Sequence, residues 1–213
     1  MQPVNEKKLL ISEIYLSIQG ESSYTGLACT FIRLTGCPLR CRWCDTSYSF
    51  TGGNQCSFNE IIKKVNAFSS KHVEITGGEP LAQSNTIDLM HELIKLKYKV
   101  LLETGGSITI KTVPKEVHII MDIKCPGSKM EQHNLYTNIE KLKPSDEVKF
   151  VIANKDDFIW TTETIKKYNI DQKAKILLSP AWGLLQPKLL VEWMLKIDIE
   201  CRLNLQVHKW IWS

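Results

Sequence analysis

The sequence predicts an α/β fold: a mostly parallel sheet that forms an incomplete, open barrel of the (β/α)6 type with reduced helical content. Short β-rich runs recur at intervals of roughly 20–40 residues, mostly followed by helical patterns or turn residues, and such βα units imply parallel strands with right-handed crossovers. A complete eight-unit barrel takes about 250 residues, whereas this chain has 213. Between residues 103 and 116 there is also little room for a crossover helix. We therefore expect a single domain over residues 1–213.

The elements are expected in a regular order along the chain. A partly alternating run over residues 9–19 ends at Gly20 and Glu21, which predicts a strand and a turn before the barrel begins. Further runs predict strands that begin near Thr30, Val73, Val100, His118, Val148, Ile176 and Leu203. Helical patterns cover residues 57–68, 85–97, 156–168 and 187–197. Ser57 and Glu60 form a capping box, and Pro187 suits the first position of a helix.

Composition and charge restrict the function classes. The net charge is +4, and lysines are mixed with acidic residues as on solvated helix faces, so we expect no direct contact with nucleic acid. No basic N-terminal segment leads into an apolar run, and no stretch of about 18 apolar residues occurs, so we expect a cytoplasmic protein without a membrane anchor. Seven cysteines without a paired framework fit a reducing compartment, where clustered cysteines bind metal more often than they form disulfides.

Three of the cysteines, Cys37, Cys41 and Cys44, lie at a C-x3-C-x2-C spacing. Thiols at these intervals cannot all share one helix face, so we expect a loop that surrounds a compact metal centre. Thiolates bind both zinc and iron–sulfur clusters, but a structural zinc site needs a fourth ligand, for which only the isolated Cys29 and Cys56 are candidates. A [4Fe-4S] cluster held by three thiolates leaves one iron open to a small molecule, and we favour that interpretation.

Polar residues near the cysteines have both structural and functional interpretations. Residues 19–21 offer an amide, a close backbone approach and a carboxylate to a polar ring, or simply form a turn. Arg33 lies between apolar neighbours and needs an anion, either an internal carboxylate or that of a ligand, which we favour. Asp45 and Thr46 follow the last cysteine and can cap the next segment or contact a hard ion such as Mg2+.

Strand ends farther along the chain carry more candidates. The segment Thr76-Gly-Gly-Glu-Pro80 places two glycines at a strand end, where a turn can expose backbone groups to a ligand. Asp122 and Lys124 point to the same face of their strand, for which an internal salt bridge is the usual reason. Ser179 ends a later strand in a similar position.

The C-terminal residues 204–213 form a short alternating run in which Gln206 and His208 share one face. That face is either exposed to solvent or borders a substrate. In the second case the chain-end carboxylate of Ser213 is an acceptor for ring N–H groups.

These motifs together resemble the radical S-adenosylmethionine (SAM) superfamily and, over essentially the whole chain, its 7-carboxy-7-deazaguanine synthase (QueE) family. The resemblance depends on I-Y-L-S-I-Q-G-E near the start, F-I-R-L-T-G-C before the cysteines and C-D-T after them, then T-G-G-E-P, E-T-G-G, D-I-K and Q-V-H-K in order. The superfamily has an aromatic residue before the last cysteine, as Trp43 is here. The chain ends without the terminal proline that some relatives carry, which bears on any chain-end contact.

The resemblance implies a set of ligands for each bound group. It implies that Cys37, Cys41 and Cys44 hold a [4Fe-4S] cluster whose open iron is chelated by SAM. The implied SAM site is lined by Trp43, Asp45, Gly78, Asp122, Lys124 and Ser179. A pterin and its carboxylate are implied to bind to Ile18, Gln19, Gly20, Glu21, Arg33, Thr76 and the chain end at Ser213. Thr46 is implied to ligate Mg2+ together with the substrate carboxylate.

The implied activity is conversion of 6-carboxy-5,6,7,8-tetrahydropterin to 7-carboxy-7-deazaguanine with loss of ammonia by ring contraction, on the route to queuosine-type 7-deazapurines in tRNA. In that reaction the reduced cluster cleaves SAM to a 5′-deoxyadenosyl radical, which abstracts hydrogen from C6 of the pterin. A one-electron reductant such as flavodoxin or ferredoxin and a homodimeric assembly are implied as well. No residue is assigned as a general acid or base.

Two rival interpretations stay open at this point. A glycyl-radical-enzyme activase shares the cysteine spacing and G-G-E-P, but such enzymes typically continue with an Asn-Pro segment where this chain has Asp45 and Thr46. In a noncatalytic metal-binding scaffold the cluster would only stabilise the fold, and the protein would not cleave SAM. An activase needs a partner protein, whereas the synthase needs only a pterin.

Overall fold

The computed structural model describes residues 7–212, and its strands form one open sheet. The strands are β1 (Lys8–Ile18), β2 (Ala28–Leu34), β3 (Asn54–Ser57), β4 (His72–Gly77), β5 (Lys99–Thr104), β6 (His118–Asp122), β7 (Glu147–Ile152), β8 (Lys175–Pro180) and β9 (Arg202–Leu203). Their order in the sheet is β3-β1-β2-β4-β5-β6-β7-β8-β9. β1 pairs antiparallel with β2 and β3, and every pair from β2 to β9 is parallel. Because β3 and β9 are edges, the predicted open barrel is confirmed.

The helices cover only part of the barrel. They are α1 (Phe58–Asn66), α2 (Thr86–Lys95), α3 (Lys155–Tyr168), α4 (Pro187–Met194) and α5 (His208–Ile211). The first four confirm the predicted helices: α1, α2 and α4 are slightly shorter than predicted, and α3 begins one residue earlier. The capping box of Ser57 and Glu60 is present. The crossover from β5 to β6 has no helix, and that from β6 to β7 has only short 3-10 turns. The reduced helical content is therefore confirmed.

Two details of the predicted strands are wrong. β3 was not predicted, because its four residues are mostly polar and gain their structure by pairing with the first half of β1. The strand predicted from Leu203 onward is limited to β9. There the side chain of Asn204 turns inward and donates to Ser179 Oγ at 2.8 Å, and the chain then forms α5.

The core lies between the sheet and its helices. On the face of the parallel strands that the helices cover, the side chains are apolar, and Ile32, Ile75, Leu102 and Phe150 are fully buried. Cys29, Cys125, Cys56 and Cys201 are buried in this core or packed against it, as expected of small apolar side chains. Among residues 7–212, no helix has the length and apolar content needed to cross a membrane.

The loop between β1 and β2, residues 19–27, crosses the open side of the sheet. The amide of Ser23 donates to Glu147 on β7 at 3.0 Å, and Arg202 Nη1 on β9 donates to Ser23 Oγ at 2.7 Å. The same Glu147 carboxylate lies 3.2 Å from His118 Nε2 on β6. Side-chain hydrogen bonds thus connect the first two strands to the last ones, where no strand ladder does so among the described residues.

Candidate active site

A cavity of about 540 Å³ opens at the C-terminal ends of the parallel strands. Its wall consists of the loop after β2, the turn after β4, the ends of β5 and β6, residues of the β1–β2 loop and the C-terminal tail. Of the predicted site residues that the structure describes, all but one lie in this wall: Ile18, Gln19, Gly20, Glu21, Arg33, Cys37, Cys41, Trp43, Cys44, Asp45, Thr46, Thr76, Gly78, Asp122 and Lys124. The structure therefore brings these predicted residues together around one cavity.

The cysteine loop, residues 36–50, turns its thiols toward this cavity. A turn closes within it where Cys44 N donates to Cys41 O at 3.2 Å, and the fully buried side chain of Leu39 anchors it. All three cysteines are partly buried free thiols. Burial raises the pKa of the Cys37 and Cys41 thiols, so a bound metal has to supply the charge that keeps them as thiolates.

The cavity wall offers three thiols as ligands for a metal centre. Within residues 7–212, no three His, Cys, Asp or Glu side chains converge on one point where a metal ion can bind. Thiolates bound to different irons of a cluster lie farther apart than the ligands of one tetrahedral zinc ion. The four remaining cysteines are all absent from the cavity wall, so the described thiols supply three ligands and leave one iron for a small molecule.

The glycine turn after β4 packs against the cysteine loop at backbone distance. Gly77 has a φ of +133°, and a Cβ there would lie 2.2 Å from the carbonyl oxygen of Leu34. A Cβ on Gly78 would lie 2.1 Å from the carbonyl oxygen of Gly36. Only glycine fits both positions, because the backbone conformation of the first and the close approach of the second exclude a side chain. Glu79 N donates to Gly36 O at 2.7 Å and joins the two segments.

Lys149, on β7, is a buried cation surrounded by carboxylates. Its Nζ lies 2.8 Å from Glu21 Oε2 and 3.7 Å from Asp122 Oδ2, and it also contacts Glu103. Burial alone lowers the pKa of Lys149, but the three carboxylates, that of Glu103 most strongly, outweigh burial and hold the pKa well above the ordinary lysine value. Lys124 Nζ pairs with Asp122 Oδ2 at 3.0 Å, so the internal salt bridge considered from the sequence is present and faces the cavity.

Glu74, on β4, is a carboxyl group without a salt bridge in the part of the chain that the structure describes. It is 1% exposed and accepts a hydrogen bond from Gln19 Nε2. Burial raises its pKa well above the ordinary value, and the nearby carboxylates of Glu103 and Glu21 raise it further. The surroundings of Glu74 therefore favour its protonated form.

Arg33, on β2, lies in the cavity wall beside the cysteine loop. Its Nε donates to Glu13 Oε1 at 2.7 Å, and its Nη2 donates to the hydroxyl of Tyr15 at 2.9 Å. Glu13 is thus the internal anion that the sequence left open as one alternative. Nη1 has no hydrogen-bond partner within residues 7–212, so it is available to a second anion. A ligand carboxylate at this position stays a prediction.

The tail, residues 204–212, joins two loops of the cavity. Lys209 Nζ pairs with Asp45 Oδ2 at 2.8 Å, and Gln206 Nε2 donates to Glu21 Oε1 at 3.0 Å. Burial alone raises the pKa of Asp45, but Lys209 outweighs burial and holds the pKa below its usual range. The tail thereby connects the cysteine loop to the β1–β2 loop.

Gly20 is the point at which the tail touches the backbone of the β1–β2 loop. Val207 N donates to Gly20 O at 2.9 Å, and the ring of His208 occupies the space beside it. A Cβ on Gly20 would lie 2.1 Å from His208 Nδ1. The absence of a side chain at this position lets the tail close against the loop.

Two predicted residues lie elsewhere. Ser179 is 2% exposed and lies behind the wall, where its hydroxyl accepts the hydrogen bond from Asn204. Its contact with SAM stays a prediction that this position does not support by itself. Ser213 lies outside the described residues.

Several residues of the wall were not predicted from the sequence. Glu74 in V-E-I-T and Lys149 in V-K-F-V-I are charges between apolar neighbours of a strand, the same signal that identified Arg33. Applied to every strand, that signal finds both. Tyr15 and Lys209 carry no comparable signal, because only the folded hairpin and the folded tail place them at the cavity.

Comparison with known proteins identifies a family and relatives of this chain. The model of the Radical SAM superfamily matches residues 31–181, which include the cysteine loop and the glycine turn. The chain is 43% identical over 211 residues to a protein of Chlorobaculum tepidum named 7-carboxy-7-deazaguanine synthase, covering 98% of this chain and 96% of that protein. A protein of Koribacter versatilis with the same name is 41% identical over 218 residues, covering 95% and 96%.

The fold has a solved counterpart. The crystal structure of QueE from Escherichia coli superposes with a TM-score of 0.80 over 94% of this chain and 95% of that one, at 23% identity. That likeness confirms the fold, and the sequence matches confirm the resemblance read from the motifs. A [4Fe-4S] cluster and SAM are the cofactors that the superfamily implies. The chain belongs to the radical SAM superfamily and, within it, to the 7-carboxy-7-deazaguanine synthase family.

Proposed function

We propose that this chain converts 6-carboxy-5,6,7,8-tetrahydropterin to 7-carboxy-7-deazaguanine, the compound for which its relatives are named. The observation that carries the proposal is Arg33, whose Nη1 is available to an anion in the same cavity that three cysteines line. One cavity thus offers a site for a cluster and a site for a carboxylate. Its volume of about 540 Å³ is that of an ordinary small-ligand site.

Bound at Cys37, Cys41 and Cys44, a [4Fe-4S] cluster with SAM supplies the radical that starts the reaction. The residues proposed for SAM surround the cysteine loop in the cavity wall: Trp43, Asp45, Gly78, Asp122 and Lys124, with Ser179 behind them. The Asp122–Lys124 pair offers a carboxylate and an ammonium group side by side. Such a pair complements a zwitterionic amino-acid group.

The pterin is proposed to bind between Thr76, Arg33 and the segment 18–21. Arg33 takes the carboxylate of the pterin, and the ring N–H groups face Glu21. Burial alone raises the pKa of Glu21, but the ammonium group of Lys149 outweighs burial and keeps that pKa low. Glu21 is therefore an ionised acceptor at the cavity. The protein's contribution is to hold the reacting atoms in contact and to exclude water.

Thr46 is proposed to bind Mg2+ together with the substrate carboxylate. Its hydroxyl lies 3.7 Å from Cys44 Sγ and lines the cavity. Mg2+ takes oxygen ligands and keeps several waters, so the Thr46 hydroxyl would supply one protein ligand beside the oxygens of the substrate. We expect Thr46→Ala to lower turnover about tenfold or more and to shift the Mg2+ dependence. Unchanged kinetics over a magnesium titration would contradict this role.

The proposal extends to the state of the protein in the cell. We propose a single radical SAM core domain over residues 1–213 that works as a homodimer in the cytoplasm. It takes electrons from a carrier such as flavodoxin or ferredoxin and has no direct contact with nucleic acid. The end product lies on the route to queuosine-type 7-deazapurines. A glycyl-radical-enzyme activase is not favoured, since the relatives named above are synthases.

Anaerobic reconstitution tests the proposal. The protein is incubated with SAM, dithionite and 6-carboxytetrahydropterin, and mass spectrometry is expected to find 7-carboxy-7-deazaguanine without a second protein. Cys41→Ala is expected to lose both the cluster absorbance and the product, because it removes one of three ligands. Cys56→Ala is the matched control, since Cys56 lies outside the cavity and only packs against the core. Cluster loading without product from wild-type protein would overturn the assigned reaction.

A further inference from the structure

We propose that Glu13 is a positioning residue for Arg33: it holds the guanidinium so that the terminal nitrogens meet the carboxylate of the substrate. The inference depends on the proposed function and deepens it, because it assigns the group that orients the anion-binding side chain. Glu13 is outside the cavity wall itself, so it acts through Arg33 and not on the substrate.

The β1–β2 hairpin sets the position of Glu13. Glu13 lies directly opposite Arg33 in the antiparallel pair, and the register shifts between Ile11 and Glu13. A bulge of this kind turns the side chains that follow it, and such bulges are frequent next to active sites. Glu13 and Arg33 are therefore cross-strand neighbours whose side chains meet at 2.7 Å.

Only some of the N–H donors of Arg33 are used within the protein. A guanidinium group has five N–H donors. Nε uses one on Glu13, and Nη2 uses one on the hydroxyl of Tyr15. Among residues 7–212, the N–H groups of Nη1 and the second one of Nη2 have no partner. Two terminal nitrogens with free donors form the edge that binds a carboxylate bidentately.

Tyr48 supports Glu13 from the cysteine loop. Its hydroxyl donates to Glu13 Oε1 at 2.7 Å, and its ring centroid lies 5.9 Å from Arg33 Cζ. Tyr48 belongs to the 3-10 turn Ser47–Phe50 of the cysteine loop. The orientation of Arg33 is thereby coupled to the folding of the loop that carries the cysteines.

Two opposing effects follow from removal of Glu13. Loss of the Glu13 charge makes the electrostatic potential at Arg33 more positive, which favours anion binding. The Glu13 side chain is 39% exposed, however, so solvent screens most of this gain in affinity. Loss of the Nε contact frees a long side chain, which must then be ordered each time an anion binds. The second effect dominates in Glu13→Ala. In Glu13→Gln the amide oxygen still accepts from Nε, so the orientation is kept.

Binding of two pterins separates these effects. The probes are 6-carboxypterin and unsubstituted pterin, which differ only in the carboxylate. Fluorescence titration of anaerobically reconstituted full-length protein with SAM, without reductant, measures both affinities. We expect Glu13→Ala to weaken 6-carboxypterin about tenfold and pterin less than about twofold. Glu13→Gln is expected to stay within about twofold of wild type for both probes.

A double-mutant cycle tests the contribution of Tyr48. Tyr48→Phe is expected to weaken 6-carboxypterin about threefold in the wild-type background and to have no further effect in Glu13→Ala, because its partner is gone. Glu92→Ala removes a surface ion pair with Lys95 on α2 and is the control, with both affinities unchanged.

Three other results would contradict the positioning role of Glu13 or the proposed function. Wild-type affinity of Glu13→Ala for 6-carboxypterin overturns the positioning role and leaves the proposed function intact. An equal loss for both probes also overturns it, because general damage to the cavity does not distinguish a carboxylate. Failure of wild-type protein to bind either pterin overturns the proposed function and the inference together.

Discussion

At the scale of single residues, the proton on Glu74 has a measurable consequence. The pKa of an unfolded glutamate is near 4.5, and burial among other carboxylates raises that of folded Glu74 well above this value. The folded state then binds the additional proton, so stability falls as the pH rises from the unfolded pKa through the folded one. Above that pH window, each unit by which the folded pKa exceeds the unfolded pKa lowers the free energy of unfolding by about 1.4 kcal/mol.

Glu74→Gln is therefore expected to stabilise the protein at high pH. The amide keeps an acceptor for Gln19 and carries no charge. Thermal unfolding of cluster-free protein should show a higher midpoint for the variant than for wild type at pH 8, and the difference should shrink toward pH 5. Glu116→Gln, on an exposed loop, is the control. A variant no more stable than wild type at pH 8 would contradict the raised pKa.

Individual residues also show which features of the site can be predicted from the sequence and which cannot. Arg33 was found because a charge within an apolar strand requires a partner, and that partner is Glu13 on the adjacent strand. Lys149 gives the same signal, but its partner Glu21 lies 128 positions away in the chain. The pattern of apolar and charged residues tells that a charge is buried. It does not tell which distant carboxylate the fold brings to it.

At the scale of elements, the tail is attached to the cavity by few contacts. The Lys209–Asp45 pair is 2.8 Å long, but its side chains are 21% and 45% exposed, so it adds at most about 1 kcal/mol to global stability. Lys209→Met is thus expected to leave the unfolding midpoint nearly unchanged and to accelerate amide hydrogen exchange in residues 204–212. Lys196→Met, an exposed lysine after α4, is the control. Unchanged exchange in the tail would show that the ion pair does not hold it.

Most elements follow from local pattern, and the exceptions have a physical cause. α1 and α4 could be predicted because a capping box and an N-terminal proline act within one turn of the helix. β3 could not, since its few polar residues become a strand only through pairing with β1. The tail alternates like a strand, and Asn204 N still donates to Leu178 O on β8 at 2.9 Å. The Asn204 side chain bonds to Ser179, and the chain then turns into α5.

At the scale of the whole molecule, Glu147 helps to fasten the β1–β2 loop to the far strands. Burial alone raises the pKa of this carboxyl group, but hydrogen bonds from His118 and Ser23 outweigh burial and lower it. The stability it contributes is therefore complete above the unfolded pKa near 4.5 and is lost as the pH falls through the folded pKa.

Glu147→Gln is expected to cost about 1–3 kcal/mol of unfolding free energy at pH 7, because the bonds to the charged form are lost. Urea unfolding of cluster-free protein measures it, and the difference from wild type should narrow below about pH 4.5. Glu140→Gln, an exposed residue whose pair with Lys173 is on the surface, should change the free energy by less than about 1 kcal/mol. A pH-independent difference for the first variant would contradict the lowered pKa.

The side-chain bonds of residues 19–27 have one more consequence. In a closed β-barrel, the barrel can widen only if the backbone hydrogen bonds between two neighbouring strands break. Here Arg202 and Ser23 meet through their side chains, so separating them would break no strand pairing. A small open barrel can thus combine a cavity wall that holds the reacting atoms in place with an entrance wide enough for both SAM and the pterin.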